Sequence, residues 1–227
     1  MNHSDHQITT VSQVMVLGNI KEHPRLGCVS PDEKFYFHNI PKNASSFMTG
    51  MLESFGWHSL TSQHQVPRHI QGSRGICLLR DPVKRWVSGI TEFLSQIYDE
   101  ENIALTMDML APLLKRNPDM DAHTAPQVSF LVGYDLAWFD FGLIHEIKGI
   151  NSMMVNYLSL RGWNGDFSKY ERENTTQGNQ FKMRIRDLVK QKLKSDDKFA
   201  ENIRKYYSAD YELIDWVGRN NKWIPSI

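Results

Sequence analysis

The order of apolar and polar residues along the chain predicts strands that are followed by helices. Residues 34–40 are rich in aromatic and β-branched side chains and predict a first strand. After a loop at residues 41–44, apolar residues return at helical spacing, and Gly56 follows as a stop signal. Ser45 or Ser46 is expected to cap this helix, because a serine oxygen accepts hydrogen bonds from first-turn N–H groups.

A second strand–loop–helix unit follows the first. Residues 75–79 are a short, continuous apolar run, which is typical of a strand covered on both faces. Asp81 is expected to cap a helix that begins at Pro82, where the missing proline N–H costs nothing. Two such units in succession predict an α/β fold with a central, mainly parallel sheet flanked by helices.

The rest of the chain reads as further elements of the same domain. No Pro/Gly/Ser-rich linker divides the sequence, so we expect an N-terminal lead at residues 1–33 and a single domain at residues 34–227. The remaining predicted elements are a helix at 103–115, a polar loop at 117–126, a strand at 138–144, a helix at 151–160 and helices over 180–218.

Charge and composition exclude several classes of protein. The 26 basic and 26 acidic residues give a formal net charge of zero, so a strongly basic nucleic-acid-binding protein is not expected. Neither a signal-peptide pattern nor a run of about 18 apolar residues occurs, which predicts a cytoplasmic protein without a membrane span. Cys28 and Cys77 are expected to be reduced thiols. Nothing in the sequence indicates an oligomeric state.

The loop between the first strand and helix has the features of an anion site. Backbone N–H groups at a helix start, together with the helix dipole, favour a phosphate-like group. The loop and the start of the helix read Pro41-Lys42-Asn43-Ala44-Ser45-Ser46. Ala44 is small, Ser45 and Ser46 carry donors, and Lys42 adds a mobile positive charge. A Walker motif is absent, because Asn43 and Ala44 separate the lysine from the first hydroxyl, which disfavours a Mg²⁺-dependent kinase.

A second anion site is predicted at the end of the second strand. Arg80 ends that strand and should point into the crevice where open α/β sheets bind ligands. Ser88 follows about two helical turns later, so its hydroxyl can join the arginine fork on one phosphate. Arg85 is expected to form a structural ion pair with Asp81 or Glu92.

These two segments, in this order, resemble the sulfotransferase family that uses 3′-phosphoadenosine 5′-phosphosulfate (PAPS). The resemblance implies a P-loop-like sulfotransferase fold over residues 34–227. It implies that the loop from Pro41 to Ser46 holds the 5′-phosphosulfate and that Lys42 acts catalytically beside the leaving oxygen. It further implies that Arg80 and Ser88 grip the 3′-phosphate of the donor.

Weaker similarities favour the carbohydrate, Golgi-type branch of that family. They lie in four further segments: residues 123–127, 139–146, 174–176 and 207–211. The resemblance implies that Asn174 and Thr175 close over the donor nucleotide, and that the acceptor is a carbohydrate or polar small molecule. It implies PAPS as co-substrate, with no metal and no nucleic-acid partner. An Asn43-Ala44-Ser45 glycosylation sequon lies inside the loop, where a glycan would obstruct the site.

Transfer to a hydroxyl benefits from a general base, and histidine suits this role. In the resembled family, the base lies between the first helix and the Arg-Asp-Pro strand, a window that holds His58, His64 and His69. His64 is the predicted base, and Glu53 is an alternative. His123 is expected to contact the acceptor or to shape its loop.

Three functions are therefore compared. The leading prediction is a sulfotransferase that moves the sulfuryl group from PAPS to a hydroxyl, or less readily an amine, by in-line displacement. The alternatives are a nucleotide-dependent phosphotransferase on a related fold and an inactive nucleotide-binding module.

Overall fold

The computed structural model describes residues 26–60, 73–98, 100, 118–145, 149–163 and 179–224. In this part of the chain, five strands form one sheet, and six α-helices flank it. The strands are β1 (Gly27–Val29), β2 (Phe35–His38), β3 (His58–Leu60), β4 (Arg74–Arg80) and β5 (Phe139–Ile144). The helices are α1 (Ser45–Ser54), α2 (Pro82–Ile97), α3 (Ile150–Leu160), α4 (Gln180–Ser195), α5 (Asp197–Tyr206) and α6 (Ser208–Arg219). Short 3₁₀ turns span Gln127–Leu131 and Leu136–Trp138.

The sheet confirms the α/β class but is mixed rather than mainly parallel. Its strand order is β3-β1-β2-β4-β5, in which β4 runs parallel to β2 and β5 while β1 runs antiparallel to β2 and β3. The physical reason lies in residues 30–34, which are too few for the crossover that parallel neighbours need. Instead, Ser30 forms a tight turn that returns the chain directly, with its hydroxyl accepting from the Phe35 N–H at 3.0 Å. The sheet thus begins within residues 1–33.

β4 is an interior strand of the sheet and carries Arg80, and its side chains alternate between two hydrophobic clusters. Cys77 and Leu79 lie in the cluster that includes α6, whereas Ile76 and Leu78 lie in the cluster that includes α1 and α3. The predicted burial of this strand on both faces is therefore confirmed. A third cluster joins α2, α4 and α5 around the fully buried Trp86.

The connection from β4 to α2 follows the prediction from sequence. The Asp81 side chain accepts a hydrogen bond from the Lys84 N–H at 2.8 Å, and Pro82 occupies the first helical turn. The predicted strand at 138–144 and helix at 151–160 correspond to β5 and α3, and the C-terminal helical stretch divides into α4, α5 and α6. The helix predicted at 103–115 lies outside the described residues.

Two further expectations concern cysteines and membranes. Cys28 and Cys77 are both buried and are not joined to each other by a disulfide, as expected for reduced thiols. Among the helices of the described segments, none combines the length and the apolar character that a bilayer crossing requires.

Candidate functional site

The loop between β2 and α1 has a strained backbone at Lys42 and Ala44. Lys42 and Ala44 have φ values of 66° and 58°, whereas Asn43 between them has a negative φ. Alternating φ signs of this kind form a concave nest of N–H groups that binds anions. Each left-handed non-glycine residue costs about 1–2 kcal/mol, so surrounding contacts must hold this conformation. Such strain is typical of functional loops.

The prediction that a serine caps α1 is wrong. Ala44 occupies the N-cap position in the left-handed conformation, and no side chain caps the helix. The first intrahelical bond runs from the Met48 N–H to the Ala44 carbonyl at 2.9 Å. Helix geometry therefore leaves the N–H groups of Ser45 and Ser46 without intrahelical acceptors, and their hydroxyl groups are not used as caps. Both features suit an anion at the helix start.

Asn43 fixes this loop to the sheet. Its side chain is 1% exposed, and its Nδ2 donates to the Leu78 carbonyl and to the Gln127 Oε1, each at 2.7 Å. Its backbone N–H donates to the Ile40 carbonyl at 3.2 Å. Asn43 thus ties the loop to β4 and to Gln127 through its side-chain amide nitrogen.

Gln127 links this loop to the end of β4. Its Oε1 accepts from the Arg80 N–H at 3.0 Å, and its Nε2 donates to the Arg80 carbonyl at 2.9 Å. The buried Asp210 carboxylate accepts from the N–H groups of Gln127 and Val128 at 2.9 and 3.0 Å. Burial raises the pKa of Asp210, although these hydrogen bonds and the Arg85 charge oppose that shift. Residues 123–127 and 207–211 therefore support the site from within the core.

Arg85 clamps two loops together and does not form the predicted ion pair. Its guanidinium is fully buried and donates to the backbone carbonyls of Pro41 at 2.9 Å, of Ala125 and of Ala122. The expected pairing with Asp81 or Glu92 is wrong, because the side chain turns inward under the loop. Burial lowers the pKa of Arg85, an effect partly offset by nearby acidic groups.

Lys42 extends from the loop to the middle of α2. Its Nζ lies 3.2 Å from the Glu92 Oε2, and the Lys182 Nζ of α4 lies 2.8 Å from the Glu92 Oε1. Burial lowers the pKa of Lys42, whereas Glu92 opposes this shift. Burial alone would raise the pKa of Glu92, but Lys182 and Lys42 outweigh it and lower that pKa to about 2. Two lysines thus share one ionised carboxylate.

Arg80 lies beside the same loop. Its Nη1 donates to the Lys42 carbonyl at 3.3 Å, so the two residues predicted to bind phosphates border one crevice. Burial lowers the pKa of Arg80, against the attraction of Asp81. Within the described ranges, no carboxylate lies within 4.0 Å of its guanidinium nitrogens. Among the described residues, the Arg80 guanidinium therefore forms no ion pair.

Ser88 faces this crevice from α2. Residues at positions 85, 88 and 92 lie on one side of a helix, because they are three and four positions apart. Arg85 contacts the Pro41 carbonyl and Glu92 contacts the Lys42 side chain, which places the half-buried Ser88 between these contacts. The predicted residues Pro41, Lys42, Ser45, Ser46, Arg80 and Ser88 are thus brought together.

Several predicted site residues either lie outside the described part of the chain or lie away from the Lys42 crevice. His64, Asn174 and Thr175 lie outside the described residues, as does His69. His58 pairs with Val29 at the end of the sheet where β2 begins, opposite the Lys42 loop. Its position does not fit a general base for this crevice.

A carboxylate–histidine pair was missed by sequence reasoning. The His123 Nδ1 lies 2.7 Å from the Asp121 Oδ2, and the His123 N–H donates to the Asp121 Oδ1 at 2.9 Å. A Cβ atom on Gly89 would lie only 2.1 Å from the His123 carbonyl oxygen, so this loop touches α2 directly after Ser88. The negative charge of Asp121 also acts on Lys42, where it raises the pKa. The short Asp-x-His spacing was the available signal.

Among the described side chains, no three His, Cys, Asp or Glu residues cluster as metal ligands would. In comparisons with known proteins, no family model, curated protein or solved structure matches the chain. The geometry brings the loop after β2 and the end of β4 together at the carboxyl edge of these two strands.

Proposed function

We propose that the protein is a PAPS-dependent sulfotransferase with a P-loop-like fold, which transfers a sulfuryl group to a hydroxyl, or less readily an amine, of a glycan or polar small molecule. The observation that carries the proposal is the contact between the Arg80 guanidinium and the Lys42 carbonyl. It brings the two segments of the resemblance to one crevice, where a single doubly phosphorylated nucleotide can touch both.

The residues present suit the two ends of such a donor. The nest at Lys42 and Ala44, with the first-turn N–H groups of Ser45 and Ser46, suits the 5′-phosphosulfate. The Arg80 guanidinium has no carboxylate partner among the described residues. Together with the Ser88 hydroxyl, it suits the 3′-phosphate. Asn174 and Thr175 keep their predicted role in closing over the nucleotide.

Lys42 supplies the charge that the reaction demands. During in-line transfer, a bond forms from the acceptor oxygen to sulfur while the bond from sulfur to the 5′-phosphate oxygen breaks, so negative charge grows on that phosphate. The Lys42 ammonium and the nest N–H groups stabilise this charge. The pairing of Glu92 with Lys42 and Lys182 holds both side chains beside the crevice. The Glu92 charge also raises the pKa of Lys42 against the effect of burial.

The acceptor proton passes to a histidine. His64 is the base that the resemblance implies, and His123 is a second candidate that the geometry adds. Asp121 holds the His123 Nδ1, which leaves Nε2 to accept a proton, as in other carboxylate-oriented histidines. A cytoplasmic location accompanies this proposal, because a glycan on Asn43 would block the donor loop.

Radioactive sulfuryl transfer tests the proposal. Donor labelled in its sulfate is incubated with a panel of saccharides and polar hydroxyl compounds, using the wild type, Lys42→Met and the matched surface variant Lys190→Met. Label should reach an acceptor with the wild type and Lys190→Met, and nearly vanish with Lys42→Met. Calorimetry should show binding of adenosine 3′,5′-bisphosphate without metal. Preference for ATP with Mg²⁺ would instead establish a phosphotransferase, and donor binding without any transfer would establish a binding module.

A further inference from the structure

A cavity lies at the opposite end of the sheet from the Lys42 crevice. It has a volume of about 440 Å³, which lies within the range of small-molecule sites. Ser73 and Arg74, at the beginning of β4, form part of its wall, together with Trp138 just before β5. Arg80 lies at the other end of β4, so six residues, or about 20 Å, separate the two sites.

Positive side chains from four separate segments converge on this cavity. They are Lys34, Arg74, Arg161 and Lys222. The described carboxylates paired with them are Asp32, 3.3 Å from Lys34, and Asp140, which pairs with both arginines. Among the described side chains, the four cations that line the cavity and the two carboxylates paired with them leave an excess of two positive charges, on a chain whose formal net charge is zero. An anion is therefore the expected ligand.

Asp140 fixes the two arginines in place. It accepts from the Arg74 Nε, from the Arg74 Nη2 at 3.0 Å and from the Arg161 Nη2 at 3.4 Å, and the Tyr157 hydroxyl donates to it at 2.6 Å. Burial alone would raise the pKa of Asp140, but these donors hold it below its ordinary value. Arg74 has five N–H donors and uses two here, so three remain on a side chain that is 43% exposed.

Trp138 adds a fixed aromatic surface beside these charges. Its ring is half-buried and lines the cavity, and its Nε1 donates to the Ser73 carbonyl at 2.7 Å. The Tyr36 ring stacks on it with centroids 6.5 Å apart. Because the polar atom of the indole is already bonded, the remaining exposed part of the ring offers an apolar surface to a ligand.

We propose that this cavity binds the sulfate or phosphate monoester of a sugar, with the ester between Arg74, Arg161 and Lys222 and the sugar ring against Trp138. Oxyanions with several acceptor oxygens match arginine forks better than they match scattered lysines. The site is independent of the donor crevice and of the proposed sulfuryl transfer.

Calorimetry with the full chain tests this site, using glucose 6-sulfate, glucose 6-phosphate, glucose and inorganic sulfate as probes. Both sugar esters should bind, glucose should not, and inorganic sulfate should bind more weakly than the esters. Saturation with adenosine 3′,5′-bisphosphate should leave these affinities unchanged, so failure here is distinct from failure of the proposed function.

Two double variants complete the experiment. Lys34→Gln with Lys222→Gln removes two cavity charges without touching the Asp140 pairs, and should weaken ester binding at least about tenfold. Lys198→Gln with Lys205→Gln removes two exposed charges of α5 and should not change it. Equal binding by both double variants, or no ester binding by a wild type shown to be folded, would overturn the proposal. Equal affinity for inorganic sulfate and the sugar esters would overturn the role of Trp138.

Discussion

The Arg80 guanidinium donates a hydrogen bond to the Lys42 carbonyl oxygen across 38 positions of sequence. This bond joins the end of β4 to the loop that follows β2, and the Lys42 side chain of that loop pairs with the Glu92 carboxylate. A strained nest, an arginine fork and an ion-paired lysine therefore border the same crevice. Their separate roles lead to predictions that can be measured one at a time.

Lys42→Met should reduce sulfuryl transfer by about a hundredfold, or about 3 kcal/mol, because a preorganised positive charge is lost where negative charge develops. Binding of adenosine 3′,5′-bisphosphate should weaken much less, since the nest N–H groups and Arg80 remain. Steady-state kinetics and calorimetry on the same samples check this split. Unchanged turnover would remove Lys42 from the catalytic machinery.

His123→Asn should remove the acidic limb of the pH–rate profile for sulfuryl transfer if His123 is the base, because no proton acceptor then remains at its Nε2. Asp121→Asn should slow transfer less, since the amide oxygen can still accept from Nδ1. The matched control is His58→Asn, which lies at the opposite end of the sheet. A limb that survives in His123→Asn and disappears in His64→Asn would assign the base to His64.

Glu92 should make stability depend on pH in the acidic range. Its pKa lies at about 2 against an ordinary 4.5, because the attraction of Lys182 and Lys42 outweighs burial. A carboxyl group with a lowered folded pKa stabilises the protein above its unfolded pKa, and this contribution is lost as the pH falls from about 4.5 towards 2.

The free energy of unfolding of the wild type and of Glu92→Gln should therefore differ most above pH 4.5 and converge on acidification. Urea denaturation at a series of pH values measures this difference. Glu201→Gln, an exposed change on α5, should give a small difference without that trend. A pH-independent gap for Glu92→Gln would show that its ion pairs do not contribute.

Asp210→Ala should destabilise the protein by about 3–5 kcal/mol, because it leaves the N–H groups of Gln127 and Val128 unpaired and the buried Arg85 without its nearby counter-charge. For a chain of this length, the midpoint of thermal unfolding should fall on the order of 10 °C. Asp215→Ala, an exposed change on the same helix, should shift it little. Similar midpoints for the two variants in calorimetry would contradict the proposed support of the site by Asp210.

Local rules predicted the parts of the structure that neighbouring residues determine. The cap at Asp81, the helix start at Pro82 and the buried strand before Arg80 all follow from adjacent positions, and all are confirmed. The antiparallel β1 was missed because Gly27–Val29 is only three residues long and carries no alternating pattern.

The contacts that build the site join distant positions, and the sequence alone does not pair them. Glu92 meets Lys42 across 50 positions and Lys182 across 90. The serine cap failed for the same reason, because Asn43 is tied to the Leu78 carbonyl and thereby fixes the left-handed conformations on either side. Arg85 was expected to pair with a carboxylate near it in sequence, but it binds carbonyl groups from two other loops.

The most direct test of the account is a calorimetric binding cycle with three nucleotides, adenosine 3′,5′-bisphosphate, 5′-AMP and 3′-AMP, against the wild type, Arg80→Met and Lys42→Met. For the wild type, loss of either phosphate should weaken binding by about tenfold to a hundredfold. Arg80→Met should bind the bisphosphate and 5′-AMP alike, and Lys42→Met should reduce the difference between the bisphosphate and 3′-AMP. If both variants instead lose the same affinity for all three nucleotides, then Lys42 and Arg80 do not hold opposite ends of one ligand.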